Sequence, residues 1–344
     1  MPQQDKDLSA FISRVLVAIA LAGLAWLLWT YRSLLLLIFG AVLVAVILGL
    51  IAGPINRRLH APRGIALAVA VLLVLGLFGL ALWMFGAEIV RQAEQLSELI
   101  PAAWRSLEGR LEVWGLAEGV RQSLGGSGVM SNLSRMVMSL GGGIADLVLV
   151  IVAGIFLAAQ PRLYRSGLLK LVPARRRGLA GEALDESGTA LTLWLKGRLV
   201  AMAVVGLLTG LGLWLIGVPA ALTLGLLAAI LDFIPFIGPI LAAVPGVLIA
   251  FASGPETALW TAALYLAAQQ LEGNVVDPLV QQRMVNLPPA YLLFALVAGG
   301  LLFGVPGIIL GAPLSVVVFI LVKRLYVQEA LDTPTEMPGD KAES

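Results

Sequence analysis

The chain has 344 residues, of which 59% are hydrophobic and 13% charged, with a mean hydropathy of +0.95. A soluble domain carries roughly 25% charged residues, so the composition excludes an ordinary soluble protein and points to an all-α polytopic membrane protein. The absence of cysteine excludes disulfides and thiol chemistry, a single histidine (His60) argues against His-based metal sites and Ser-His catalysis, and a net charge of +2 gives no case for nucleic acid.

The first element is an apolar run from Val15 to Trp29 behind a mixed-charge start, Asp5, Lys6 and Asp7. It leads straight into a second apolar run and is read as a retained first span rather than a secretory signal. A bilayer core takes about 20 apolar residues as helix. On that measure spans are expected near 11–30, 34–53, 64–87, 142–160 and 199–217. Between the third and fourth, residues 88–140 are too polar to cross. Ile89, Ala93, Leu96, Ile100, Trp104, Leu107, Leu111 and Trp114 recur there at spacings of three and four, which predicts an amphipathic helix or helix pair. It either lies in the membrane interface or packs against a second copy of the chain, with subunit packing slightly favoured.

After the fourth span, Arg162, Arg165, Lys170 and Arg175–Arg177 form a basic loop. An amphipathic helix follows, with Glu182, Asp185 and Glu186 ahead of Leu191, Trp194 and Leu195, and it enters the fifth span. Lys196 and Arg198 at that entrance are read as snorkelling anchors. With Arg57, Arg58 and Arg63 after the second span, and Lys323 and Arg324 after the last, these basic residues set the orientation. The positive-inside tendency puts them, and both termini, in the cytoplasm.

Residues 219–322 are apolar but repeatedly interrupted by prolines, including Pro219, Pro235, Pro239, Pro245, Pro278, Pro288, Pro306 and Pro313. About three further crossings are expected there, partly from broken or half-length helices, giving about eight in all. GxxxG pairs in and before this region, Gly206/Gly210, Gly300/Gly304 and Gly307/Gly311, are read as close helix contacts.

Polar residues in this region carry the functional signal. Asp232 stands in an apolar stretch beside Pro235, Gly238 and Pro239. A carboxylate in hydrocarbon is costly by several kcal/mol unless paired, hydrated or protonated, and irregular backbone survives there only when buried in protein or lining a watery cavity. Glu272, Asn274, Asp277 and Pro278 form a second interruption. They either line a cavity and offer oxygens to a cation or solute, or form a solvated loop at the membrane edge; Arg283 could neutralise one of the acids. The expectation is that the two interruptions meet in one polar site. An apolar setting favours the protonated carboxyl, which suits reversible proton uptake. The sequence has no Walker-type phosphate loop and no HExxH, and Gly125-Gly126-Ser127-Gly128 is a weak match to a serine-protease motif, so neither an enzyme nor a cofactor is expected.

These residues resemble the AI-2E family of bacterial transporters. The resemblance rests on Trp194-Leu195-Lys196-Gly197-Arg198, Gly217-Val218-Pro219, Phe233-Ile234-Pro235-Phe236-Ile237-Gly238-Pro239, Glu272-Gly273-Asn274-Val275-Val276-Asp277-Pro278 and Phe303-Gly304-Val305-Pro306-Gly307, whose order and spacing suit that family over 190–320. Pro306 and Gln281–Met284 depart from its pattern. The first half of the chain matches mainly in layout. The resemblance implies a homo-oligomer in the bacterial inner membrane. Its substrate would be a small molecule such as the signal autoinducer-2, or Na⁺ or Li⁺ exchanged for protons. The reading of the residues divides the chain into N-terminal spans (1–87), an external amphipathic segment (88–140), a fourth span (141–160), a basic cytoplasmic loop and helix (161–198), a transport core with broken helices (199–325) and a disordered cytoplasmic tail (326–344). A membrane scaffold without transport is the reading from another class.

Overall fold

The computed structural model describes residues 15–16, 19, 22–23, 26–27, 29–76, 79–80, 83, 144–276, 278, 287–329 and 331. The expected amphipathic segment at 88–140, the glycine-rich stretch at 125–128, Asp277 and Arg283 therefore lie outside the described residues. Every element among those described is helical. In chain order they are α1 (Arg32–Leu59), α2 (Arg63–Gly76), α3 (Ile144–Ala159), α4 (Pro161–Lys170), a short 3₁₀ turn (Ala174–Arg176), α5 (Arg177–Ile216), α6 (Ala221–Leu231), α7 (Ile237–Ser253), α8 (Pro255–Leu271), α9 (Pro289–Phe303) and α10 (Val305–Val322). Helix α8 runs on through a wide π-type turn, Glu272–Val276, and α10 through another, Lys323–Gln328.

Helix α5 organises the bundle. It is a single helix of 40 residues, so at 1.5 Å per residue it is about 60 Å long, twice the hydrocarbon thickness. The polar first half and apolar second half read separately from the sequence are thus one continuous rod. The apolar half ends in a left-handed Gly217 (φ +83°), with Val218 N–H donating to Leu213 O at 3.0 Å and Gly217 N–H to Trp214 O at 3.1 Å. Glycine takes that conformation without the cost a Cβ would impose.

The chain then folds back as α6, packed along α5. The contact has no side-chain layer: a Cβ on Gly225 would sit 2.5 Å from Gly210 Cα and 2.8 Å from Gly206 O. Gly206 and Gly210 thus form a close helix contact, with Gly225 and Ala229 as their partners. The other two pairs divide differently. Gly307 packs against Gly299, and Gly311 against Leu296, which seats α9 on α10. Gly304 is not in that contact; it forms the turn between the two helices at φ +67°.

Three helices are long and apolar enough to cross a membrane among the described residues: Arg32–Arg58, Ala174–Ile216 and Val305–Gln328. A fourth is added if α3 and α4, bent by 91° at their junction, count as one. α6, α7 and α9 are shorter apolar helices, as the proline-interrupted sequence of this half predicts. α7 packs on α8 and α9 on α10. The basic segments gather at one end of the bundle. Arg165 of α4 pairs with Asp185 of α5 at 2.6 Å, Arg324 pairs with Glu182 and, at 3.7 Å, with Glu186, and Arg57 and Arg63 share a cavity with Arg165. Asp185 holds the Arg165 guanidinium, which lies outside the spans, more firmly protonated than usual by hydrogen bonding and charge.

The glycine seam between α5 and α6 yields a stability prediction. Gly225→Ala drives a methyl group into backbone atoms that cannot move aside, and should destabilise by about 1–3 kcal/mol. Gly188→Ala, on α5 with nothing within 4 Å, should be neutral or slightly stabilising. Thermal midpoints in one detergent check both, and equal midpoints would contradict the contact.

Candidate functional site

Helix α6 ends at Leu231, and Asp232 is its C-cap, still donating its backbone N–H to Ala228 O at 2.9 Å. The chain then turns tightly through Phe233–Phe236 into α7. Ile234 N–H donates to Leu231 O at 3.0 Å, and Gly238 N–H to Ile234 O at 2.9 Å. Gly238 is buried, and a Cβ there would collide with the Leu231 carbonyl, so only glycine closes this turn. Pro235 and Pro239 flank it, half-buried. Phe236 takes φ +64°, which is strained for a bulky residue and marks a backbone that its surroundings hold in place. The turn is pinned to α5 through Phe233, whose ring meets Trp194 edge-on at 5.8 Å.

The second interruption enters from α8. The π-type turn at Glu272–Val276 widens the helix and turns Glu272 inward, where it is 4% exposed. Such turns are uncommon and cluster at functional positions. Asn274 faces outward and donates to Gln270 O and Oε1, both at 2.9 Å, while Gly273 and Pro278 are exposed.

Arg198 joins the two. It lies on α5 and is 8% exposed, so it is not the snorkelling anchor expected from its place at the span entrance. Its Nη1 donates to Glu272 Oε1 at 2.9 Å, and its Nη2 lies 3.2 Å from Asp232 Oδ1. Gln269 Nε2 donates to Glu272 Oε2 at 3.3 Å. The two helix breaks thus meet at one guanidinium, with Asp232 fully buried. The reason for the correction is geometric. α5 runs unbroken through the expected span entrance, and Arg198 lies on its buried face, where it meets two acids that the α6–α7 turn and the end of α8 bring there. Lys196, two residues earlier, is exposed and keeps the anchoring position.

Sequence reasoning also missed three hydroxyl groups. Thr209 on α5 and Thr261 on α8 are fully buried, Tyr265 nearly so, and none of their side-chain oxygens has a hydrogen-bond partner among the described residues. Their neighbours Val205, Leu213, Ala258 and Tyr265 itself belong to one apolar core shared by α5–α8. Thr209 lies 11 residues beyond Arg198, and Thr261 11 residues before Glu272. On helices of 3.6 residues per turn each threonine therefore shares a face with its charged partner, about 16 Å away. The missed signal was that spacing, which pairs polar residues on two helices far apart in sequence. Of Trp214, Gln269 and Gln270, the residues whose chemistry would suit a small hydroxylated solute, Trp214 is 66% exposed and Gln270 faces outward, so only Gln269 reaches the site. Among the described residues no group of His, Cys, Asp and Glu could hold a metal ion.

A buried arginine shared by two acids where two helix breaks meet is a costly arrangement inside an apolar bundle, which marks it as a candidate functional site. The comparisons agree with a transport role. Residues 15–326 match the model of the AI-2E family transporter. The chain is 24% identical over 305 residues to the Bacillus subtilis protein named "Putative transport protein YrrI", covering 83% of this chain and 85% of that one. It is 28% identical over 276 residues to the Escherichia coli K12 protein named "Putative permease PerM", covering 76% and 78% respectively. A Mycobacterium tuberculosis relative, "Putative transport protein MT0215", is 28% identical over 312 residues, covering 86% and 84%. The chain belongs to the AI-2E transporter family.

Proposed function

We propose that this protein is a secondary transporter that exports a small polar solute, of the autoinducer-2 type, and couples it to an ion gradient through Arg198, Asp232 and Glu272. The observation that carries the reading is one buried guanidinium divided between acids on two different helix breaks. A proton or monovalent cation taken up by Asp232 weakens its hold on Arg198 and leaves Glu272 as the stronger partner. The α6–α7 turn then moves relative to α5 and α8, because its anchoring charge pair has changed. A ligand shifts such an equilibrium only through its different affinity for the two states, and the acid–guanidinium exchange supplies that difference. Pro235, Gly238 and Pro239 shape the moving turn, and Asn274, Asp277 and Pro278 border the second break. The basic residues gathered at one end of the bundle support a reading with both termini cytoplasmic, and the expected homo-oligomer would use the 88–140 stripe.

A second reading, exchange of Na⁺ or Li⁺ for protons, is favoured by one specific observation. Of Trp214, Gln269 and Gln270, which would suit a hydroxylated solute, Trp214 and Gln270 face away from Arg198 and Gln269 alone touches Glu272. A scaffold without transport would tolerate loss of both acids.

Two outcomes are expected. In proteoliposomes loaded with substrate, an imposed proton gradient should drive flux, and Asp232→Asn should slow the coupled component by about tenfold or more. Flux indifferent to both gradient and substitution would remove the coupling role. In detergent, Arg198→Met strands two buried carboxylates and should cost about 3–5 kcal/mol. The triple variant Arg198→Met/Asp232→Asn/Glu272→Gln should recover most of that loss, since no charge is left without its partner. A triple variant as unstable as the single one would show that Arg198 does not balance these acids.

A further inference from the structure

A cavity of about 600 Å³ opens between α1, α2, α3 and α4, apart from the Arg198 site. On α1 and α2 its wall changes from apolar to basic toward one end, where Leu168 of α4 and Leu184 of α5 also line it. On α1 the lining begins with Val42 and Val46 and ends with Asn56 and Arg57. On α2 Leu67 lines it one turn in from Arg63, and on the α3–α4 side Leu157 gives way to Tyr164 and Arg165. From Val42 to Arg57 the helix rises about 22 Å, close to the length of an extended acyl chain. At the polar end three arginines face one aspartate, and that Asp185 is engaged by Arg165 at 2.6 Å. Arg57 and Arg63 have no acidic partner among the described residues. Arg63 also begins α2, where the helix dipole adds positive potential.

We propose that this cavity is a binding site for one anionic phospholipid, with its phosphate between Arg57 and Arg63 and one acyl chain along Val42, Val46 and Leu67. Charge complementarity selects the headgroup. The graded wall selects a lipid over free phosphate, because an inorganic ion would use only the polar end. A zwitterionic lipid fits the apolar wall equally but gains less from two arginines that have no acidic partner among the described residues. Basic pockets between spans are a recurrent means of holding such headgroups. Occupied, the site would tie α1 and α2 to α4, and through Arg165 and Asp185 to the projecting half of α5.

The test is native mass spectrometry of the detergent-purified full chain with dioleoyl phosphatidylglycerol, with dioleoyl phosphatidylcholine and with inorganic phosphate. Phosphatidylglycerol should be retained at concentrations about tenfold or more below those needed for phosphatidylcholine, and millimolar phosphate should not displace it. Arg57→Gln/Arg63→Gln should abolish the preference, whereas Arg175→Gln/Arg176→Gln, exposed and outside the cavity, should keep it. Val42→Trp, which fills the apolar end, should weaken retention of both lipids without removing the preference. Equal retention of the two lipids, displacement by phosphate, or an unchanged Arg57/Arg63 variant would each overturn the proposal. So would loss of preference in the Arg175/Arg176 variant, since the basic surface would then suffice. None of these readouts depends on transport.

Discussion

Arg198 cannot stand where it does without the two acids, and the acids cannot stand without it. Taking an ion out of water costs several kcal/mol even after the surroundings relax. Here one guanidinium and two carboxylates are withdrawn together, from α5, the α6–α7 turn and the end of α8. That requirement constrains the backbone around them. Helix α5 must hold Arg198 on its buried face, α6 must stop at Asp232, and α8 must widen at Glu272. The glycine contact between α5 and α6 meets the same demand, since the absence of side chains along it brings Asp232 within reach of α5.

The charged cluster lies in an otherwise apolar bundle, and this separates stability from function. Leu43 of α1 packs against Leu191 and Leu195 of α5. Ala190, Val316 and Ile320 seat α10 on the same helix. These contacts hold the frame whichever acid Arg198 favours. In the proposed ion-coupled cycle they would stay in place while the single ion-pair cluster is redistributed. The buried hydroxyls of Thr209, Thr261 and Tyr265 extend polar character from the cluster along the α5–α8 faces.

Much of this was legible in the sequence, and the gaps have physical causes. Asp232 and Glu272 stood out because acids beside proline or glycine in apolar runs are expensive. Their convergence was anticipated, but their partner was misjudged. Arg198 lies at the edge of an apolar run, where local hydropathy cannot distinguish a snorkelling cation from one on the buried face of a helix that runs unbroken from Arg177. The same limit applies to the glycines. GxxxG spacing correctly marked Gly206 and Gly210, yet it paired Gly304 with Gly300 although Gly304 forms the turn, and it passed over Gly299 and Gly225, whose contacts are across helices rather than along one. Asn274 was grouped with Glu272 by proximity in sequence; the π-type turn separates them, directing one inward and the other out.

The most direct test uses the absence of native cysteines. Phe236→Cys and Val275→Cys place spin labels at exposed positions beside the two breaks, and their separation can be measured by electron spin resonance in nanodiscs. The account predicts that acidification, or saturation with the coupling cation, brings in a second distance population that Asp232→Asn abolishes. One distance distribution, unchanged under every ionic condition and in the variant, would contradict the claim that Arg198 exchanges between Asp232 and Glu272.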